Sequence, residues 1–250
     1  MKVKTGISGL DRLMDGGIPE ESVVLLSGCT GTGKTIFGLQ FLAEGARKYG
    51  ERGLYITFEE REDKIREQAE QFGWDFTGLE KKRMLKILNI SKFTIGEIFR
   101  ELSSAIRTYK PRRLVVDSIT NMCLAAHVRT KLFDLDKADI DEMIYGEGNN
   151  VGTPLDWDGI IVKKMMVDLV KILQSHRITA LLTSEVSKES EWYSRDTISE
   201  FACDGVMLLK AVSIGEETQR TLELVKMRNT PIRGGIYNFE FTKSGVKISV

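Results

Sequence analysis

Gly28-Cys29-Thr30-Gly31-Thr32-Gly33-Lys34-Thr35 follows the apolar run Ser22 to Leu26 and leads into Ile36-Phe37-Gly38-Leu39-Gln40-Phe41-Leu42. A GxxxxGK[ST] pattern between a strand-like and a helix-like stretch reads as a phosphate-binding loop. Small residues let successive backbone N–H groups turn inward onto phosphate oxygens, and the helix that follows aims its partly positive N-terminus at the same anion. The expected nucleotide-binding set is Gly28, Thr30, Gly31, Thr32, Gly33, Lys34, Thr35 and Ile36. Lys34 is expected to reach the β- and γ-phosphates, and the Thr35 hydroxyl to ligate Mg²⁺. A nucleoside triphosphate and Mg²⁺ are thus the implied ligands. No guanine-reading NKxD-type motif is evident, so the residues alone leave ATP and GTP both open.

Outward from this loop, strand-like apolar runs recur at Val23–Ser27, Leu54–Phe58, Met84–Ile90, Leu114–Asp117 and Ile178–Ser184. Amphipathic stretches lie between them, among them Ile65–Phe72, Ile95–Tyr109 and a helix from about Ile160 to His176. Alternation of this kind predicts an α/β fold with a mostly parallel central sheet and helices on both faces, phosphate binding beyond the carboxyl ends of the strands. After Asp204 the pattern becomes strands without helices, at Val206–Val212, Gln219–Met227, Gly235–Phe241 and Val246–Val250. These predict an antiparallel extension along one edge of the sheet.

The chain has 250 residues, a length that fits one α/β domain, and 42% of them are hydrophobic, enough for a sizeable core. Lys and Arg number 36 and so do Asp and Glu, so no global charge draws the chain to nucleic acid or to an anionic membrane. The cysteines, Cys29, Cys123 and Cys203, are far apart and form no CxxC pair, which argues against a disulfide framework or a zinc site. No apolar run is long enough to span a bilayer, and no signal-peptide core follows Met1. A cytoplasmic protein with no membrane partner is expected.

Arg113-Leu114-Val115-Val116-Asp117-Ser118 is an apolar strand ending in a carboxylate downstream of the phosphate loop. That is the Walker B arrangement, and Asp117 joins Thr35 as an expected metal residue. Phe58-Glu59-Glu60 closes the strand Leu54–Thr57, expected beside the phosphate-loop strand or one strand removed. Either Glu59 or Glu60 can then polarise an attacking water, or the pair can cap the following helix. Lys226-Met227-Arg228 ends a late strand before Asn229-Thr230-Pro231, and alternation puts Lys226 and Arg228 on one face. They read either as a solvated edge that blocks aggregation or as cations reaching a triphosphate on a neighbouring subunit. Residues 127–159 carry Asp134, Asp136, Asp139, Asp141, Glu142 and Glu147, and read as an acidic insertion or lid, or as a solvated helix and loop. The loop Val186–Ser199 holds Lys188 and Arg195 but also Glu189 and Glu191.

Thr5-Gly6-Ile7-Ser8-Gly9-Leu10-Asp11-Arg12-Leu13-Met14 through Gly16-Gly17-Ile18-Pro19, the phosphate loop, FEE followed by Phe72-Gly73-Trp74-Asp75, VVDS and the KMR turn together resemble the KaiC branch of the RecA/RadA superfamily. The likeness is to a stand-alone, single-domain KaiC-like ATPase of the archaeal type, and its motifs extend over most of residues 1–250. The resemblance implies a RecA-like core that assembles into a ring, typically a hexamer, with ATP between subunits. It implies hydrolysis through Glu59 and Glu60, and contacts to a neighbour's nucleotide from Lys226, Met227, Arg228 and Thr230. Where the self-phosphorylating domain of KaiC has adjacent Ser and Thr, this chain has Glu200-Phe201, so no autokinase is expected there; Thr197 and Ser199 lie close by. Three functions follow: a ring-forming regulatory ATPase acting on an unknown protein partner, a recombinase-like or helicase-like ATPase dependent on single-stranded DNA, and a non-hydrolysing ATP-gated assembly module.

Overall fold

The computed structural model describes residues 1–92, 94–130, 157–187, 190, 192–214 and 217–250. Two short strands, β1 (Lys2–Val3) and β2 (Ile18–Pro19), pair antiparallel around α1 (Leu10–Leu13). The chain continues through β3 (Val23–Gly28), the phosphate loop, α2 (Lys34–Lys48), β4 (Gly53–Thr57), α3 (Glu62–Glu70), α4 (Phe76–Lys81), β5 (Leu85–Asn89) and α5 (Ile95–Tyr109). Then come β6 (Arg113–Asp117), α6 (Ile119–Thr130), α7 (Trp157–Ser175), β7 (Thr179–Glu185) and α8 (Ser199–Ala202). Four strands finish the described chain: β8 (Gly205–Ile214), β9 (Glu217–Met227), β10 (Ile236–Thr242) and β11 (Gly245–Ile248).

Nine strands form one sheet in the order β11-β10-β9-β8-β3-β7-β6-β4-β5. From β8 through β5 all pairings are parallel, and β9, β10 and β11 are added antiparallel. This is the expected RecA-like α/β architecture with two differences. The run Val206–Val212 belongs to β8, which pairs parallel with β3, so the antiparallel extension begins only at β9. The stretch from Val186 to Asp204 is long enough to carry the chain back to the start of the sheet, as a parallel connection requires. Secondly, β4 is not next to β3 or one strand removed; β7 and β6 both stand between them.

Fully buried strands send alternate residues to opposite faces. Val24, Leu26, Tyr55, Val115 and Leu181 enter one core with Phe37, Phe41 and Leu42 of α2. Val23, Leu25, Leu54, Ile56, Leu114, Val116 and Leu182 enter the other with Ile98 and Leu102 of α5 and Met166, Leu169 and Leu173 of α7. Helix α5 has the predicted bounds because Thr94 and Glu97 form a reciprocal capping box at its start. Helix α2 lies close on β6 at its glycines: a Cβ on Gly38 would sit 2.9 Å from Val115 Cγ1. It thereby crosses from β3 over to β6 and β4, which carries its first turn toward the carboxyl end of β6. Of the acidic segment 127–159, residues 131–156 lie outside the described residues. Among the described residues no helix is long and apolar enough to cross a membrane.

Candidate nucleotide site

The phosphate loop needs glycine at two positions. Gly31 (φ 78°) and Gly33 (φ 101°) adopt left-handed backbone, and a Cβ on Gly33 would fall 2.3 Å from Phe241 Cζ. Thr32 is fully buried and its Oγ1 donates to the Cys29 carbonyl at 2.8 Å, tying the loop to itself. Lys34 Nζ donates to the carbonyls of Gly28 (2.8 Å) and Cys29 (2.9 Å). Burial lowers the Lys34 pKa, against the opposing charges of Glu185 and Asp117.

Asp117 ends β6 and gathers three hydroxyls. Its Oδ2 accepts from Thr35 Oγ1 at 2.8 Å and from the Tyr55 phenol at 2.5 Å, while Oδ1 accepts from Thr183 Oγ1 at 2.5 Å. Tyr55, Asp117 and Thr183 come from the adjacent strands β4, β6 and β7. Burial first, and the Asp117 charge next, push the Tyr55 phenol well above its ordinary range, so it remains a donor.

Beyond β4, Thr57 Oγ1 accepts the backbone N–H of Glu59 (3.3 Å) and Glu60 (3.0 Å) and donates to the Glu60 carbonyl (3.1 Å), which folds the two glutamates into the cleft. Asn121 Nδ2 donates to Glu59 Oε2 at 2.5 Å and Gln68 Nε2 to Glu60 Oε2 at 2.6 Å. Glu60 has its pKa raised by burial first, then by the charges of Asp117 and Glu59, with the Gln68 bond opposing.

These groups line a cleft of about 390 Å³ that contains Thr30, Gly31, Gly33, Lys34, Thr35 and Ile36 together with Glu59, Glu60 and Asp117. The sequence-predicted residues of the loop, the Walker B strand and the glutamate pair therefore meet in one place, with Gly28 just beneath as an acceptor for Lys34. The donor set suits a metal-bound triphosphate: a hydroxyl and a carboxylate are hard oxygen ligands, and Mg²⁺ takes only one or two such groups from protein. Among the described residues, no group of three or more His, Cys, Asp or Glu side chains is placed to hold a metal ion by itself.

Sequence reasoning missed Tyr55, Thr183, Gln68, Asn121, Glu185 and Phe241. Glu185 ends an apolar strand just as Asp117 does and lines the same cleft, so the same signal was available for it. Tyr55 and Thr183 sit inside apolar strands, where nothing marks a functional hydroxyl.

The KMR turn lies elsewhere. Gly28 pairs with Leu209 and Leu209 with Leu222, while Lys226 pairs with Val206, three residues back along β8, about 10 Å at about 3.3 Å per residue, toward the opposite end of the sheet. A bulge at Val225, where Val206 pairs with Lys226 but Met207 with Leu224, turns Lys226 away from the face that Leu222 and Leu224 bury. Lys226 Nζ donates to the Glu200 carbonyl at 2.8 Å, and Arg228 donates to the Phe201 carbonyl at 3.1 Å and approaches Asp204 Oδ1 at 3.5 Å. The two cations thus share a face, as expected, fixed against α8. The other two residues expected at a neighbour's nucleotide, Met227 and Thr230, are buried in the single chain. The Met227 side chain is buried over Gly205 because the bulge returns it to the core, leaving only its backbone for an outside contact. Thr230 is 9% exposed and its Oγ1, though buried, has no partner within the described residues. Near the turn, Ser199 is fully buried and donates to Asp196 Oδ2 at 2.8 Å. Lys188, Glu189 and Glu191 of the neighbouring loop lie outside the described residues.

Fold and site together define a P-loop nucleotide-binding protein with a RecA-like core. The family model for the KaiC ATPase matches residues 3–138 and 156–250, and the chain belongs to that family. The circadian clock oscillator protein KaiC of Parathermosynechococcus lividus is 31% identical over 99% of this chain, and that of Synechococcus elongatus 30% identical over 99%. The chain spans 42% and 44% of those relatives, less than half of their length. Among solved structures, the KaiC-like protein PH0186 from the hyperthermophilic archaeon Pyrococcus horikoshii OT3 superposes with a TM-score of 0.80 at 31% identity, covering 100% of this chain and 99% of its own.

Proposed function

We propose that residues 1–250 act as one unit of a cytoplasmic, Mg²⁺-dependent ATPase that assembles as a homo-oligomeric ring, a hexamer by the family resemblance, with each ATP held between two subunits. The observation that carries this reading is the position of Lys226 and Arg228. They are fixed by backbone carbonyls at the end of the sheet away from their own phosphate loop, where they are available to a second copy. The cleft, for its part, holds a phosphate loop and four carboxylates, Glu59, Glu60, Asp117 and Glu185, but among the described residues only one cation from its own chain, Lys34.

In this reading Lys34 and the loop amides hold the β- and γ-phosphates, and Thr35 with Asp117 would hold Mg²⁺. When bound, the ion neutralises phosphate charge and orients the triphosphate. Glu60, the more buried glutamate, whose pKa burial raises, accepts the proton of the attacking water. Glu59, anchored on Asn121, keeps the turn in register. Lys226 and Arg228 of the adjoining subunit stabilise charge on the transferring phosphoryl group. Turnover then changes the ring's shape and regulates a protein partner. Autokinase activity at Glu200-Phe201 is not part of this reading, since neither residue accepts phosphate.

Complementation tests it. Lys34→Ala and Arg228→Ala chains are each expected to hydrolyse ATP poorly alone. Mixed, they should regain part of the activity, because an Arg228→Ala cleft then adjoins an intact Arg228. Wild-type rates from Arg228→Ala alone, or no recovery on mixing, would count against shared sites.

A further inference from the structure

We propose that Tyr55 is a positioning residue for the metal half of the nucleotide site, holding the Asp117 carboxylate in place when the Thr35 hydroxyl is engaged by Mg²⁺. The inference rests on the Mg²⁺-nucleotide reading above and deepens it.

Asp117 has two oxygens and three hydroxyl donors. Thr183 takes Oδ1, while Tyr55 and Thr35 share Oδ2. Thr35 is the residue a metal-bound triphosphate needs, so its hydroxyl has two claims on it. The Tyr55 hydroxyl donates to Asp117 and is not itself a group the metal needs. Its ring is fully buried, and its backbone is paired on both sides, with Ile87 of β5 and Val115 of β6. Thr57 is the direct neighbour of Asp117 across β4 and β6, which sets Tyr55 two residues back on the same face, within a phenol's reach of the carboxylate. Phenylalanine would fill the same core space, so the hydroxyl is the part that packing does not explain. Buried without a partner it would be costly, and the acceptor it finds among the described residues is Asp117. Groups that orient a metal-binding carboxylate typically change metal affinity by about 10- to 100-fold when removed.

The test measures binding of a fluorescent ATP analogue across a Mg²⁺ titration, with thermal stability followed alongside. Wild-type protein is expected to bind the analogue more tightly as Mg²⁺ rises. Tyr55→Phe, which keeps the ring, should need roughly 10-fold more Mg²⁺ for the same tightening, with metal-free affinity and melting temperature near wild type. Thr183→Val, which removes the donor on Oδ1, should shift the same requirement. In an Asp117→Asn background, adding Tyr55→Phe should have no further effect on the Mg²⁺ requirement. An unchanged Mg²⁺ requirement in Tyr55→Phe, or an undiminished effect in the Asp117→Asn background, overturns the assignment. Wild-type binding that ignores Mg²⁺ overturns the metal-site reading beneath it.

Discussion

Glu59 and Glu60 are consecutive, yet their surroundings give them different chemistry. Glu59 is exposed and bonded to Asn121; Glu60 is half-buried, bonded to Gln68, and faces the charges of Asp117 and Glu59. Burial first, and Asp117 next, raise the pKa of Glu60 above that of an ordinary glutamate, so the base form is lost earlier as pH falls. The acid limb of kcat/KM against pH is therefore expected above the model-peptide glutamate range of about 4.3. Glu59→Gln removes one of the charges that raise Glu60 and should move that limb to lower pH; a limb that stays put or moves up would reassign the group being titrated. Glu60→Gln should cost about 10²- to 10⁴-fold in hydrolysis while ATP binding survives, a range typical of a lost general base.

Helix α2 joins the phosphate loop to the sheet, and its fit depends on glycines at its two ends. At the first, Gly33→Ala demands a side chain at φ 101° and 2.3 Å from Phe241 Cζ. A loss of roughly 1–3 kcal/mol in stability is expected, together with weakened nucleotide binding, read from denaturant midpoints and equilibrium titration. At the second, a Cβ on Gly45 would lie 2.5 Å from Cδ and Nε of Arg113. Arg113 is a 1%-exposed side chain that pairs with Glu51 at 2.5 Å and donates to the Phe41 carbonyl at 2.8 Å. Alanine normally favours a helix interior over glycine by about 1 kcal/mol. Displacing a buried, paired guanidinium costs more, about 3–5 kcal/mol, so Gly45→Ala should destabilise despite its helix propensity. A raised denaturant midpoint would show that Arg113 yields.

For the molecule as a whole, the proposed reach of Lys226 and Arg228 from the far end of the sheet into a neighbour's cleft would tie activity to assembly. Hydrolysis per subunit is expected to climb with protein concentration until the ring is saturated, and to ignore single-stranded DNA, since the chain is neutral overall. A rate per subunit independent of concentration, in a preparation shown to dissociate on dilution, would indicate a site complete in one chain. Stimulation by DNA would bring forward the recombinase-like reading.

What the sequence determined by itself was chemistry carried by contiguous residues. The phosphate loop, the carboxylate closing an apolar strand, the glutamate pair after Phe58, and the amphipathic stretch Ile95–Tyr109 that becomes helix α5 are local patterns in contiguous sequence. The α/β class followed from the alternation of strand and helix periods. What only the tertiary structure decided depends on which distant segments become neighbours. Strand order is one such matter: crossover lengths allow many orders, and it took packing of α2 on β6 and β4 to separate β4 from β3 by two strands. The hydroxyls of Tyr55 and Thr183 are another, since they meet Asp117 only through the registers of β4, β6 and β7. The bulge at Val225 is a third, for one extra residue opposite Val206 and Met207 reverses which side chains face the core, sending Met227 inward and Lys226 out to α8.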